Sequence, residues 1–166
     1  MLQKQIRAAE NGDLQINIEP INSMEFINST IGKISSHIIG IDKQIILDGN
    51  SADIDIETDK VLFQRIMINM LKNALESTPQ KGSVITGIQI HDKKIRFWVK
   101  NDLVIPEDVQ MQMFQRSFST KGNGRGIGNY SIKLLTENYL KGKVSFISNK
   151  TAGTVFSIEL NKKFPT

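Results

Sequence analysis

Apolar and polar positions change period several times along this chain, and each change marks an element. Between Asp59 and Thr78 the apolar residues recur at helical spacing. Phe63, Ile66, Met67, Met70, Leu71, Ala74 and Leu75 share one broad arc, while Arg65, Asn69, Lys72, Asn73 and Glu76 fall opposite. Thr58 or Asp59 is the expected N-cap, and Pro79 closes the run because a helix interior does not accept proline. Phe26, Ile27, Ile31, Ile34, Ile38 and Ile41 predict a second helix, started by Asn22 or Ser23 and ending near Ile41. Met1 to Glu10 reads as the end of a helix stopped at Asn11-Gly12.

Elsewhere the period falls to two. Leu14 to Glu19 alternates as a half-buried strand does, and Pro20 is expected to end it. Lys43 to Leu47 and Ala52 to Glu57 predict two short strands around an Asp48-Gly49-Asn50 turn. Val84 to His91 and Lys94 to Asn101 predict a hairpin through Asp92-Lys93, with Ile95, Phe97 and Val99 facing inward. Pro106 to Arg116 is a short helix by its early acids and late arginine, and a longer one follows from about Asn129 to Tyr139. Lys143 to Asn149 and Thr154 to Leu160 are closing strands joined at Ala152-Gly153. The sum is an α+β fold: a two-layer α/β sandwich whose mixed, mostly antiparallel sheet carries about three helices on one face.

Composition narrows the class without choosing a function. The 166 residues suffice for one domain with a real core. An absence of cysteine excludes disulfide and thiolate chemistry and suits a reducing, cytoplasmic setting. No apolar run is long enough to span a membrane, and Met1-Leu-Gln-Lys-Gln lacks the core of a signal peptide. The net charge of +4 is spread rather than striped, which speaks against nucleic acid while remaining compatible with an anionic ligand such as a nucleotide. His37 and His91 have no neighbours that suggest catalysis.

Two features depart from plain packing. Asn69 and Asn73 stand one turn apart on the polar side of the 59–78 helix, although asparagine is a poor residue for a helix interior. Ser117 to Gly128 is a polar loop studded with glycines that leads into a helix. Such glycines let backbone N–H groups approach an anion, and the helix start adds partial positive charge. Neither a Walker loop nor a dinucleotide fingerprint fits, since no Lys-Ser/Thr pair follows the last glycine and no parallel strand leads into the loop.

Four segments occur in order: Asn69-x-x-x-Asn73-Ala74, Phe114-x-x-x-Phe118-Ser-Thr120-Lys121, Gly124-x-Gly126-x-Gly128 and Gly153-Thr154-x-Phe156. With them the chain resembles the ATP-binding catalytic domain of bacterial sensor histidine kinases. Their Bergerat, left-handed-crossover ATP-binding fold is shared with gyrase, heat-shock-ninety chaperones and mismatch-repair ATPases. The resemblance covers about Thr58 to Leu160 and implies the following site. Asn73 holds Mg²⁺, and Asn69 supports the phosphates or the metal one turn earlier. Phe114 and Phe118 anchor the lid, with Thr120 beside them in the ATP-binding set. Lys121 and Arg125, joined by Arg116, reach the phosphates, Gly126, Ile127 and Gly128 offer them backbone N–H groups, and Gly124 belongs to the ATP-binding set. Gly153 and Thr154 close the adenine end. The resemblance also implies that Asn69, Asn73, Lys121 and Arg125 are the catalytic set.

Three departures or absences shape the expectation. In hydrolysing relatives a water-activating Glu stands where this chain has Asn69, whose amide is no base, so kinase is favoured over ATPase. The family's Asp-x-Gly-x-Gly box is replaced by Asn101-Asp-Leu-Val-Ile105. Asn101 is expected to meet the adenine amine, with Asp102 as the alternative. Because a carboxamide can turn either end to a ligand, discrimination against guanine is expected to be softer. Loss of the glycines is expected to stiffen the near side of the lid. No histidine here has the surroundings of a phospho-acceptor, so residues 1–12 are read as the end of a linker helix from a dimerisation domain and 13–166 as the catalytic domain. The implied partners are that histidine-bearing domain of a homodimeric sensor and a response-regulator receiver domain, with no nucleic acid and no membrane contact by this segment. Two other readings share the sequence signal: a degenerate nucleotide- or partner-binding module, and an anti-sigma-type Ser/Thr kinase.

Overall fold

A computed structural model describes residues 2–37, 42–115 and 127–166. The element order is α1 (Leu2–Glu10), β1 (Ile18–Asn22), α2 (Ser23–His37), β2 (Gln44–Leu47), β3 (Asp55–Asp59), α3 (Lys60–Glu76), β4 (Ser83–His91), β5 (Lys94–Asn101), α4 (Glu107–Gln110), α5 (Ile127–Leu134), a π-helical turn (Leu135–Tyr139), β6 (Lys143–Asn149) and β7 (Gly153–Asn161). Five strands form one sheet in the order β2-β4-β5-β7-β6. Every pair is antiparallel except β2–β4, which is parallel. β1 and β3 make a separate antiparallel ribbon.

The buried face of the sheet is set by the alternation in β5, where Ile95, Phe97 and Val99 are fully buried. Against it lies α3, the central helix, which touches β4, β5, α2 and α5. Its buried stripe (Leu62, Phe63, Ile66, Met67, Met70, Leu71 and Leu75) is the arc expected from the spacing. Phe63 is the hinge pin of the core. Its ring stacks on Phe26 of α2 at 4.2 Å and meets Phe97 of β5 edge-on at 4.8 Å, so helix, helix and sheet interlock at one point.

Both ends of α3 are closed by side chains. Asp59 accepts from the Leu62 amide at 2.9 Å through Oδ1 and from the Asn17 amide at 2.7 Å through Oδ2. At the other end, Lys43 Nζ donates to the Leu75 carbonyl at 2.7 Å, and Ala74 O accepts from Thr78 Oγ1 at 2.7 Å and from Asn101 Nδ2 at 3.2 Å. The last of these ties the helix end to the end of β5.

Four local expectations are corrected. The strand expected over Leu14 to Glu19 lies over Ile18–Asn22 instead, with Pro20 inside it. β1 pairs only with β3, so the missing N–H of Pro20 can point to the unpaired edge at no cost in the ladder. β2 and β3 flank the expected turn, in which Ser51 N donates to Asp48 O at 3.0 Å, but they diverge into different sheets rather than pairing. The helix expected over Pro106 to Arg116 is regular only over Glu107–Gln110 and then continues as turns as far as the description goes. The following helix begins at Ile127, two residues before the expected start, and its last part is wound as a π turn. The second helix is described to His37, and Ile38 and Ile41 lie outside the described residues.

α1 ends as its sequence predicts. Gly12 adopts a left-handed φ of +78°, and Asp13 N donates to Ala8 O at 2.8 Å. Ile6 and Ala9 are buried, and the Tyr139 hydroxyl donates to the Ala9 carbonyl at 2.6 Å, while Tyr130 Oη bonds Glu10 Oε1 at 2.9 Å. Among the described residues no helix is long and apolar enough to cross a membrane.

Candidate functional site

A cavity of about 500 Å³ opens between the C-terminal half of α3, the start of α5 and the ends of β5 and β7. On the α3 side Met70, Asn73, Ala74 and Ser77 form the wall. Val99 and Asn101 of β5 and Phe156 of β7 make its base, with Thr154 at the end of that strand. Leu103, Val104, Ile105 and Pro106 run along the side where the family's glycines are replaced, and Gly128, Asn129 and Ile132 of α5 complete the enclosure. The lining is mainly apolar with polar groups at separate points, the pattern of a small-molecule site.

Its helical side is an amide pair. Asn69 and Asn73 are half-buried on one face of α3. Asn73 Nδ2 donates to Asn129 Oδ1 at 3.0 Å, and Asn69 Nδ2 reaches Ser131 Oγ at 3.4 Å. Ser131 Oγ in turn donates to the Gly128 carbonyl at 2.9 Å. A Cβ on Gly128 would lie 3.7 Å from Asn73 Nδ2, so the first turn of α5 runs directly over that carboxamide. Ile127 begins α5, and the first amides of a helix have no intrahelical partner. The start of α5 therefore brings amide donors and partial positive charge to the place where the paired asparagines stand.

The sheet side is built on Asn101 and Thr154, which are register partners across β5 and β7. Thr154 Oγ1 donates to the Leu103 carbonyl at 2.6 Å and shares a hydrogen bond with Ser148 Oγ at 2.8 Å. Ser148 Oγ also accepts from the Ile105 amide at 2.8 Å. These bonds pin residues 103–105 along the cavity. Gly153 makes the approach possible. Its φ is +68°, and a Cβ there would run into the Asn101 carbonyl and lie 3.0 Å from Asp102 Cα.

Of the residues singled out from sequence, Asn73, Asn101, Gly128 and Thr154 line this cavity, and Asn69 stands one turn behind Asn73. Asp102 is exposed and is not part of the lining. Phe114 packs on Phe146 and Phe156 at 5.8 and 5.6 Å between ring centres, with Lys133 Nζ 5.5 Å above its ring. It therefore sits behind a cavity wall. Arg116, Phe118, Thr120, Lys121, Gly124, Arg125 and Gly126 lie outside the described residues. Asn129 and Ser131 escaped the sequence reading. Their signal is their place immediately after Gly128, where a helix start turns short polar side chains toward α3.

Comparison with known proteins agrees with this arrangement. The model of the family described as histidine kinase-, DNA gyrase B-, and HSP90-like ATPase matches residues 58–163. The chain is 30% identical over 155 residues to a probable C4-dicarboxylate sensor kinase of Halalkalibacterium halodurans, a match covering 88% of this chain and 29% of the relative. Its fold is similar to that of the catalytic domain of histidine kinase ThkA in a nucleotide-free form, with TM-score 0.77, 24% identity, and coverage of 89% and 97% of the two chains. It is also similar to ThkA solved in complex with the response regulator TrrA, with TM-score 0.77, 21% identity, and coverage of 97% and 47%. The chain spans less than a third of the length of the curated relatives it matches. This chain belongs to the histidine kinase-, DNA gyrase B- and HSP90-like ATPase family, as an ATP-binding catalytic domain of the sensor histidine kinase type.

Proposed function

We propose that the cavity binds Mg·ATP and that the domain transfers the γ-phosphoryl group to a histidine on a separate dimerisation domain of the same sensor protein. One observation carries the choice of kinase over hydrolase. The position one turn before Asn73 is Asn69, an amide hydrogen-bonded to Ser131, where a hydrolase of this family would hold a carboxylate. An amide oxygen is too weak a base to take a proton from water at neutral pH. With water left inactive, phosphoryl transfer depends on positioning an acceptor and stabilising charge.

Each residue has a task in this reading. Thr154 and Asn101 hold the base end, and the apolar walls from Val99, Ile132 and Phe156 sandwich the ring system. The opening turn of α5, at Ile127 and Gly128, meets the phosphate oxygens, and Gly126, which lies outside the described residues, is assigned the same task by the resemblance. Lys121 and Arg125, helped by Arg116, neutralise them, and Phe118, Thr120 and Gly124 belong to the same segment. Among the described residues no cluster of His, Cys, Asp and Glu could hold a metal ion by itself. A site offering one carboxamide oxygen, Asn73, suits an ion that arrives with phosphate oxygens and keeps waters, which is the habit of Mg²⁺. When bound, Mg²⁺ would neutralise charge shared by the β- and γ-phosphates.

Residues 1–12 serve in this reading as the end of the linker from the dimerisation domain, and 13–166 as the catalytic domain. The full protein is a homodimer working in the cytoplasm, where ATP is available, and a receiver domain takes the phosphoryl group onward. The ThkA–TrrA complex supports that last step by likeness. The test is transfer in trans. The chain is mixed with the histidine-bearing domain, ATP and Mg²⁺, and acid-labile, base-stable phosphate is measured. A folded chain that binds ATP yet forms none would remove the kinase reading, and phosphate on Ser or Thr would redirect it to an anti-sigma-type kinase.

A further inference from the structure

Both asparagines of α3 turn their amino ends toward α5. Asn69 Nδ2 meets Ser131 Oγ at 3.4 Å. The single proton of that hydroxyl goes to the Gly128 carbonyl at 2.9 Å, so Ser131 can only accept from Asn69. One turn further along α3, Asn73 Nδ2 donates to Asn129 Oδ1 at 3.0 Å. A carboxamide carries its acceptor at one end and its donors at the other. With Asn129 Oδ1 engaged by Asn73, the end that Asn129 keeps for another partner is Nδ2. That atom has no hydrogen-bond partner among the described residues and is not closed off from solvent. Its residue is half-buried and lines the cavity beside Asn73 and Gly128.

We propose that Asn129 is a further ligand-binding residue, whose Nδ2 donates to a phosphate oxygen of the nucleotide while its Oδ1 holds the Asn73 carboxamide in one orientation. This rests on the Mg·ATP reading of the cavity and adds to it a residue with two tasks. The polarity of the pair suits both guests. A phosphate oxygen only accepts, so it calls for the amino end that Asn129 presents. Mg²⁺ takes oxygen ligands, so it calls for the end of Asn73 opposite the one that Asn129 holds. The reverse arrangement, with Asn129 donating to Asn73, would set oxygen against phosphate and an amino group against the metal. The structure shows the first arrangement, so neither amide has to turn for the ligand to bind.

Asn129→Leu keeps the bulk of the side chain and removes both its donor and its acceptor, while the Asn69–Ser131 contact still ties α5 to α3. The experiment is calorimetry of the 166-residue chain with ATP, in Mg²⁺ and in EDTA, beside a thermal melt. In EDTA, Asn129→Leu is expected to weaken ATP binding by about tenfold or more, the scale of one hydrogen bond to a charged group. In Mg²⁺ the loss is expected to be larger, because Asn73 is no longer held. In an Asn73→Ala background the loss in EDTA is expected to remain and the extra loss in Mg²⁺ to vanish, since the residue being positioned is gone. A structural role alone would lower the melting temperature and scale the affinities alike with and without the metal, in both backgrounds. An Asn129→Leu affinity in EDTA within about twofold of wild type, or an extra loss in Mg²⁺ that persists in the Asn73→Ala background, would each overturn the inference while leaving the nucleotide site standing. Should Asn129→Leu not fold, NMR of the wild type decides: the Asn129 side-chain amide protons are expected to shift when ATP is added in EDTA, and signals that stay in place overturn the inference. A wild-type chain that binds no ATP would remove the nucleotide reading itself, and the inference with it.

Discussion

Asn73 of α3 and Asn129 of α5 are 56 positions apart in sequence and joined side chain to side chain at 3.0 Å. That bond closes the cavity's helical side, because it fixes the first turn of α5 over the amide pair. A ligand that draws on Asn73 is therefore coupled to the position of α5.

Asn73→Ala should abolish the Mg²⁺-dependent part of ATP affinity and change the melting temperature little. The residue is half-buried, and the hydrogen bond to Asn129 is worth about 0.5–1.5 kcal/mol. Calorimetry with and without Mg²⁺, beside a thermal melt, separates the two effects. A large drop in melting temperature with nucleotide binding intact would mark Asn73 as structural.

Gly153→Ala should do the opposite, losing fold and ligand together. The left-handed φ of +68° and the collision of a Cβ with the Asn101 carbonyl call for a backbone shift at the base end of the cavity. A loss of more than about 1 kcal/mol is expected from a denaturant melt, with weaker ATP binding because Asn101 moves. A variant as stable as wild type would show that the β6–β7 turn relaxes freely.

Phe63→Ala should be among the most damaging core changes, at about 3–5 kcal/mol. Phe63 is fully buried and meets both Phe26 and Phe97, so its removal loosens helix, helix and sheet at one point. Urea denaturation would show it, and a loss below about 1.5 kcal/mol would mean that the neighbours collapse into the space.

Asp59→Ala should cost about 1–2 kcal/mol, the upper part of the N-cap range. Its two oxygens serve two backbone amides, Leu62 N within α3 and Asn17 N in the segment before β1. Asp59→Asn keeps one acceptor oxygen and should recover part of the loss in the same melt.

The central helix, the β4–β5 hairpin and the β6–β7 closing strands were legible because their periods are long and clean. The apolar arc of α3 and the inward Ile95, Phe97 and Val99 were readable from spacing alone. What misled was local punctuation whose meaning depends on distant partners. Pro20 looks like a strand end until β1 is known to have only one neighbour. Asp48-Gly49-Asn50 looks like a hairpin turn, yet β2 lies parallel to β4 and β3 pairs with β1. At the site, Asn69 and Asn73 stood out because asparagine fits a helix interior poorly, whereas Asn129 and Ser131 sit where short polar residues are ordinary. The orientation of Asn101 was out of reach of sequence, since it depends on a carbonyl 27 positions away.

The two tyrosines beside α1 carry a mechanical consequence. Tyr130 and Tyr139 grip Glu10 and Ala9 from either side of Ile132, which itself forms part of the cavity wall. With Ile6 and Ala9 also seated in the interior, turning α1 about its axis would break the bond to Tyr130 of α5, the bond to Tyr139 of the π turn, or both, unless those elements moved with it, and Ile132 between them lines the cavity.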